Sequence, residues 1–237
     1  MKAFLYGVSL QWKLDIRSKT LLITCYLVPL LFFALMGGIF TSVNPEAGET
    51  LIPSMTVFGV SMGAFIGLPP SLVELYGGSV RKVYRAGGVP DCLGLLLSGI
   101  SAFLHLFLMS LILWAAAPLA FGAKLPEHPA LYFADLALFL LVSLAAAAVI
   151  GLAVKDPSKT PMISILIFLP SIMLSGIMFP ADLLPKALQT AGNLFPAAWG
   201  YRLLAEDGFR AENLGTPLIL LAAAACLCLI LIRRTEK

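Results

Sequence analysis

The chain has 237 residues, of which 59% are hydrophobic and only 12% are charged, and its mean hydropathy is +0.94. A soluble domain has about 45 to 50% apolar and about 25% charged residues. The composition therefore excludes an ordinary water-soluble protein and predicts a chain that resides in a lipid membrane. The formal net charge is only +3. The sequence has no stripe of basic residues interleaved with aromatic ones, so it does not predict nucleic acid as a partner.

Residues 1–19 precede the first long apolar run and mix apolar side chains such as Phe4 and Trp12 with basic ones such as Lys2 and Lys13. This mixture is typical of an amphipathic helix at the membrane surface, with the indole at headgroup depth. We expect an interfacial N-terminal helix here. The apolar spacing is imperfect, so a basic leader without helical structure is an alternative.

Six apolar segments follow. A helix rising about 1.5 Å per residue needs about 20 apolar residues to cross a hydrocarbon core about 30 Å thick, and each segment has about that length. The first lacks a small-residue cleavage pattern and is expected to be retained. The predicted fold is an all-α membrane protein, with one six-helix transmembrane domain at 20–232 and a tail at 233–237. The predicted spans are Leu21–Phe40, Ile52–Tyr76, Leu93–Phe121, Leu131–Val154, Pro161–Phe179 and Leu214–Ile232.

Basic residues concentrate in alternate loops. Short loops rich in Lys and Arg remain in the cytoplasm, so the pattern predicts that both termini are cytoplasmic in a multi-pass protein of the cell inner or plasma membrane. The residues that set this orientation are Lys2, Lys13, Arg17, Lys19, Arg81, Lys82, Arg85, Lys155, Lys159, Arg233, Arg234 and Lys237.

The predicted cytoplasmic loop between spans two and three has the pattern of a short capped helix. Gly77 and Gly78 can end span two, Ser79 can N-cap the helix, and residues 87–90 contain the glycines and proline that can end it. Val80, Val83 and Tyr84 recur at i, i+3 and i+4. Such an apolar stripe is typical of a helix that docks in a partner's groove. A simple interfacial turn is equally compatible with the pattern. The candidate site comprises Glu74, Ser79, Val80, Arg81, Lys82, Val83, Tyr84 and Arg85.

The predicted external segment between spans five and six is long and rich in apolar residues. Asp182 and Pro185 can open a helix that Gly192 and Asn193 close, and a second helix can follow from Ala197. The pair is expected to dip into the outer leaflet and gate a pathway, although a connector without a gating role has the same pattern. The candidate gate residues are Leu184, Leu188, Phe195, Trp199 and Tyr201.

Other chemical signals are weak. Gly59–Gly63 matches the G-x-S-x-G nucleophile pattern but lies inside a predicted span, which favours close helix packing over catalysis. The four cysteines, three of them within apolar runs, provide neither a disulfide framework nor a closed metal site. His105 and Asp135 lie within spans three and four, where ionisable residues are functional candidates. We expect His105 to be a hydrogen-bonded packing residue, with a proton relay or substrate contact as the alternative.

Several of these segments together resemble the type 2 permeases of ABC exporters. Ser79 replaces a threonine common in relatives, and Ala197, Ala198 and Trp199 replace a more usual Leu-Thr-Tyr. The resemblance is carried by the loop Glu74–Pro90, the turn Phe121–Pro126, the end of span four at Gly151–Ala153, the stretch Leu174–Pro180, the pair Leu184–Pro185 and the triplet Leu194–Pro196.

The resemblance implies a permease subunit without catalytic residues or cofactors of its own. Relatives form a homodimer, or a heterodimer with a similar permease, above two ATPase subunits that bind ATP and magnesium. It further implies that Ser79–Ala86 is a coupling helix seated in the ATPase and that an exported substrate passes spans one, two and five. These spans are rich in Phe, Met, Ser and Gly with few charges, which favours an apolar or amphipathic cargo such as a drug, lipid or peptide, although polysaccharide carriers share the fold. An ion-coupled carrier using His105 and Asp135, or a non-transporting scaffold or sensor, is the alternative function. The candidate path residues are Phe33, Met62, Ser171, Ser175 and Phe179.

Overall fold

A computed structural model describes residues 2–43, 48–78, 84, 86–178, 183–206 and 211–234. All regular secondary structure within these residues is helical. The all-α prediction is therefore confirmed for these residues. Numbered in chain order, the helices are α1 (Lys2–Arg17), α2 (Lys19–Ser42), α3 (Leu51–Gly77), α4 (Cys92–Phe121), α5 (Pro129–Ala153), α6 (Thr160–Met173), α7 (Lys186–Gly192), α8 (Pro196–Ala205) and α9 (Ala211–Arg234).

Five of these helices, α2, α3, α4, α5 and α9, are long and apolar enough to cross a membrane. Their bounds agree with five of the predicted spans to within three residues at each end. The agreement follows from the length of the apolar runs, since each run ends at glycines, prolines or charged residues. The chain is therefore a multi-pass membrane protein by length and composition.

Helix α6 is shorter than the predicted span Pro161–Phe179. It has 14 residues, which corresponds to about 21 Å, and the chain continues in turns from Leu174 to Met178. Gly176 adopts a positive φ of 91°, and the Ser175 hydroxyl donates to the carbonyl of Ile172 at 2.6 Å. A serine that bonds its own backbone and a glycine in the left-handed region both end a helix.

Helix α3 forms the centre of the bundle. All residues from Leu51 to Ser61 are buried, and the helix packs against α4, α5, α6 and α8. A Cβ on Gly63 would lie 2.1 Å from Cδ2 of Leu106, and one on Gly59 would lie 2.7 Å from Cε of Met109. The Gly59–Gly63 pattern therefore serves close helix packing, as expected.

Helices α2 and α3 each contain a π-helical turn, at Ile23–Leu27 and Gly63–Gly67 respectively. Each turn lies one to two residues before prolines, Pro29 in α2 and Pro69 and Pro70 in α3. Proline lacks an N–H and its ring clashes with the carbonyl four residues earlier, so the preceding turn widens. The two π-turns face each other, since the Cys25 sulfur lies 3.3 Å from the position of a Cβ on Gly67.

Candidate functional site

The predicted coupling segment begins where α3 ends. Gly78 has an extended backbone with φ −94° and ψ −176°, which confirms the predicted helix end, and α4 begins at Cys92. Glu74 is exposed on the last turn of α3. Of the other candidate site residues only Tyr84 is described. The predictions for Ser79, Val80, Arg81, Lys82, Val83 and Arg85 lie outside the described residues.

Tyr84 lies against the membrane helices of its own chain. It is half-buried and lines a small cavity with Leu75, Tyr76 and Asp91. A Cβ on Gly94 would lie 2.5 Å from Cδ2 of Leu75 and 3.6 Å from Cε2 of the Tyr84 ring, so the missing side chain at Gly94 makes room for Leu75, and the ring lies within contact distance of α4. The docking of Tyr84 in a partner stays a prediction.

Tyr76 ties the end of α3 to the start of α4. Its hydroxyl donates to the carbonyl of Asp91 at 2.5 Å and accepts from the amide of Leu95 at 3.2 Å. Gly88, with φ of 66°, allows the chain to turn back, and the Val89 amide donates to the Tyr84 carbonyl at 2.9 Å. The described parts of the segment are therefore held against the bundle at the end of α3 and the start of α4.

A second basic loop, residues 154–159, lies beside the last turn of α3. The Lys155 carbonyl is 4.0 Å from the position of a Cβ on Gly77. Asp156 accepts hydrogen bonds from the Ser158 hydroxyl at 2.7 Å and the Ser158 amide at 3.0 Å, and lies 3.8 Å from the Lys159 ammonium. These bonds, led by the Ser158 hydroxyl, lower the pKa of the Asp156 carboxyl, so this loop holds a carboxylate near neutral pH.

The predicted interfacial helix corresponds to α1, which packs against α4. Its outer face carries exposed apolar side chains, among them Leu5 and Tyr6, as an amphipathic surface helix requires. Trp12 lies against α4, and its position at headgroup depth stays a prediction. Its indole stacks on the His105 ring with centroids 3.9 Å apart and an interplanar angle of 3°.

His105 is a buried, hydrogen-bonded packing residue, as expected from the sequence. Its Nδ1 lies 2.8 Å from the Tyr26 hydroxyl, and 1% of its surface is exposed. Asp135 lies elsewhere, in a small cavity at the start of α5 with His128 and Glu206. The described contacts of His105 therefore lead to α1 and α2 and not to Asp135.

The two predicted amphipathic helices between α6 and α9 are present as α7 and α8, with bounds close to the predicted ones. Helix α8 is wedged into the bundle, since a Cβ on Gly200 would lie 2.4 Å from the Phe139 ring. The Trp199 indole donates to the Asn193 carbonyl at 2.8 Å, which joins α8 to the end of α7. Among the candidate gate residues, Leu188 is exposed, and Leu184, Phe195, Trp199 and Tyr201 are half-buried.

The loops near these helices are joined by an ion pair between Lys124 and Glu49. The hydrogen bond to Glu49 raises the pKa of Lys124. Both side chains are largely exposed, and such pairs contribute little to stability. The pair therefore joins the two loops but contributes little to the free energy of folding.

The candidate path residues are buried within the single chain, apart from Met62, which is half-buried, and Phe179, which lies outside the described residues. Phe33 packs edge-on against Phe121 with centroids 5.2 Å apart, and Ser171 and Ser175 are buried in and after α6.

Sequence reasoning missed a row of aromatic rings across the three helices of the predicted path. Phe32 of α2 stacks on Phe58 of α3 at 4.0 Å, and Phe58 meets Phe168 of α6 edge-on at 5.8 Å. The rings are far apart in sequence, so no local spacing connects them.

A bundle of long apolar helices defines a multi-pass α-helical membrane protein. The model of the family described as ABC-2 family transporter protein matches residues 42–234. The chain therefore belongs to the ABC-2 transporter family, and the resemblance to type 2 permeases is confirmed. No curated protein matches the chain.

Proposed function

We propose that the chain is the permease subunit of an ABC exporter, in which ATP hydrolysis on a separate ATPase subunit drives export of a hydrophobic or amphipathic substrate. The observation that carries the proposal, beyond family membership, is that the Tyr76 hydroxyl joins the end of α3 to the start of α4, at the base of the segment 78–91. A load applied to such a segment reaches two long helices at once.

Six membrane crossings, with both termini in the cytoplasm, are part of the proposal. Helix α6 starts next to the basic loop 154–159, at the end of α5. Helix α8, the second helix after α6, lines a cavity with His128 and Tyr132 at the opposite end of α5. The chain thus passes from one end of the bundle to the other between residues 160 and 196. This path supports a sixth crossing made by α6 and the turns at 174–178, despite the short helix.

In the proposed coupling step, residues 79–85 seat in a groove of the ATPase. The inward position of the Tyr84 ring leaves the neighbouring basic residues, Arg81, Lys82 and Arg85, and the apolar Val80 and Val83 as the candidates for the docking face. ATP and magnesium bind to the ATPase, and two permease copies, or this chain and a similar permease, surround the pathway.

The proposed pathway runs along α2, α3 and α6. The aromatic row formed by Phe32, Phe58 and Phe168 supports an apolar or amphipathic cargo, because aromatic rings bind apolar surface and offer few polar groups to a hydrophilic one. Helices α7 and α8, the latter wedged against Phe139, are the proposed outer gate.

The test is reconstitution of the purified chain with candidate P-loop ATPases from the same cell, one of which the wild type should retain. The variant Arg81→Glu with Lys82→Glu reverses two charges in the coupling segment, and Arg233→Glu with Arg234→Glu is the matched control at the end of α9. The wild type and the control should retain the ATPase on a column, whereas the first variant should lose it.

Retention of the ATPase by the first variant contradicts the proposed docking face. Flux that survives ATP depletion but stops when the proton gradient is collapsed would support an ion-coupled carrier instead. A complex with no nucleotide-dependent flux would support a scaffold or sensor.

A further inference from the structure

Helix α1 carries a buried carboxylate that the proposed coupling step does not use. Asp15 is only 8% exposed, although its neighbours Leu14 and Ile16 are exposed. Among the residues that the structure describes, no basic side chain forms an ion pair with it, and its oxygens accept from Gln11 Nε2 at 2.9 Å and Ser101 Oγ at 2.5 Å. Burying a carboxylate is costly unless it is hydrogen-bonded, and bonds to a charged acceptor are strong.

A second contact joins the same two helices one turn away. Trp12 lies three residues before Asp15 on α1, and His105 lies four residues after Ser101 on α4, so each pair shares one helix face. The Trp12 and His105 rings stack in parallel at 3.9 Å. Helices α1 and α4 are therefore held by two adjacent contacts, one between rings and one between a carboxylate and a hydroxyl.

The ring contact extends to α2. The Tyr26 hydroxyl lies 2.8 Å from Nδ1 of His105, and the Tyr26 ring meets the His105 ring edge-on at 5.7 Å. Tyr26 is part of the π-turn Ile23–Leu27, which faces the π-turn of α3 through Cys25 and Gly67. Helices often kink at π-turns, and π-turns often lie at functional sites. A displacement of His105 would therefore reach the kinked turns of α2 and α3.

We propose that Asp15 is a positioning residue, which clasps α1 to Ser101 and aligns the stack of Trp12, His105 and Tyr26, so that α1, α4 and the π-turn of α2 move as one body during the ATP-driven cycle. The inference rests on the proposed function for the source of the motion. The clasp joins α1, outside the range matched by the family model, to α4, which lies within that range.

The first test concerns the clasp alone and needs no ATPase. In lipid nanodiscs, hydrogen exchange of residues 2–17 is compared between the wild type, Asp15→Asn and the control Glu127→Gln, which removes an exposed carboxylate. Loss of a charged acceptor should speed exchange in α1 by about tenfold or more, and the control should match the wild type. Equal exchange in Asp15→Asn and the wild type overturns the clasp, whatever the chain transports.

The second test concerns coupling in the complex with the ATPase. ATP with vanadate should change hydrogen exchange in residues 186–205 of the wild type. Asp15→Asn should still bind the ATPase and hydrolyse ATP within about twofold of the wild-type rate, because the docking segment is untouched, yet should lose most of this change. A full wild-type change in Asp15→Asn would show that the carboxylate does not position the helices for coupling.

A covalent replacement of the clasp separates positioning from simple loss of stability. A Cβ on Gly7 would lie 3.2 Å from Cδ1 of Leu97, so Gly7→Cys and Leu97→Cys can be joined by a short reversible thiol cross-linker after the four native cysteines are replaced by alanine. In the Asp15→Asn background the cross-link should restore the nucleotide-dependent change, and reduction should remove it. If the cross-link blocks the nucleotide-dependent change in hydrogen exchange in the protein that retains Asp15, the motion of these helices as a single body is overturned.

If the wild-type complex shows no nucleotide-dependent change in hydrogen exchange, the proposed function is contradicted. The contact between Asp15 and Ser101 is still tested by the first experiment, which needs no ATPase.

Discussion

Removal of one hydroxyl, in Tyr76→Phe, should loosen the coupling segment without changing its sequence. The hydroxyl bonds the Asp91 carbonyl at 2.5 Å and the Leu95 amide at 3.2 Å. The Tyr76 hydroxyl thus lies between a backbone carbonyl and a backbone amide at the N-terminus of α4, where the first amides of a helix lack partners within it. Phenylalanine keeps the ring and its packing, so the substitution removes the hydroxyl and, with it, these two hydrogen bonds.

The expected magnitude follows from the two bonds. Each contributes about 0.5 to 1.5 kcal/mol, so their loss should favour local opening by about 1 to 3 kcal/mol, which corresponds to about 5- to 150-fold faster exchange. The effect should be confined to residues 86–96. The global melting temperature should change little, because the tie lies at the end of the bundle.

Hydrogen exchange followed by mass spectrometry in nanodiscs measures this directly. Tyr6→Phe is the matched control, since Tyr6 is 71% exposed on α1 and loses the same hydroxyl. The control should exchange as the wild type does. Wild-type exchange rates at residues 86–96 in Tyr76→Phe would refute the inference that this hydroxyl ties α3 to α4.

Three further outcomes are expected. Gly63→Val should lower the melting temperature in detergent by several degrees, because a Cβ there would lie 2.1 Å from the facing leucine and overpacking is destabilising, whereas Gly99→Val, which has open space around it, should not. Ser158→Ala should raise the pKa of Asp156 toward its ordinary value, as measured by carboxyl NMR titration. Any stability that Asp156 contributes is present near neutral pH and lost as the pH falls through its lowered pKa. Trp199→Phe should speed exchange in α7 about fivefold, through the lost indole bond, and unchanged exchange would contradict that role.

The long helices could be predicted because their signal is local. Apolar runs of about 20 residues and the glycines at Gly77 and Gly78 mark helix length and one boundary without any knowledge of neighbours. The amphipathic α7 and α8 were predicted for the same reason, from apolar spacing and from Pro185 and Gly192. The early end of α6 was missed because Ser175 and Gly176 occur in helices as well as in turns, and composition alone does not distinguish them.

The contacts that define the candidate site are not local. Trp12 meets His105, and Asp15 meets Ser101, across more than 80 residues of chain, so the sequence showed the residues but not the pairs. One signal was available: a lone carboxylate at Asp15 between Leu14 and Ile16, in a helix near the membrane, is costly unless it has partners. The position of the Tyr84 ring was equally hidden, because its neighbours, among them Gly94, lie on other helices.

The most direct test of the central claim, that residues 79–85 dock in a separate ATPase, is site-specific photo-cross-linking in cells that also express the P-loop ATPase retained by the wild-type chain. A photoreactive amino acid is introduced at Val83 in the coupling segment or, as a control, at Glu127 near the opposite end of the bundle. The account predicts a cross-link between Val83 and the ATPase and none from Glu127. Efficient cross-linking of Val83 to lipid alone, with the ATPase present and folded, would contradict it.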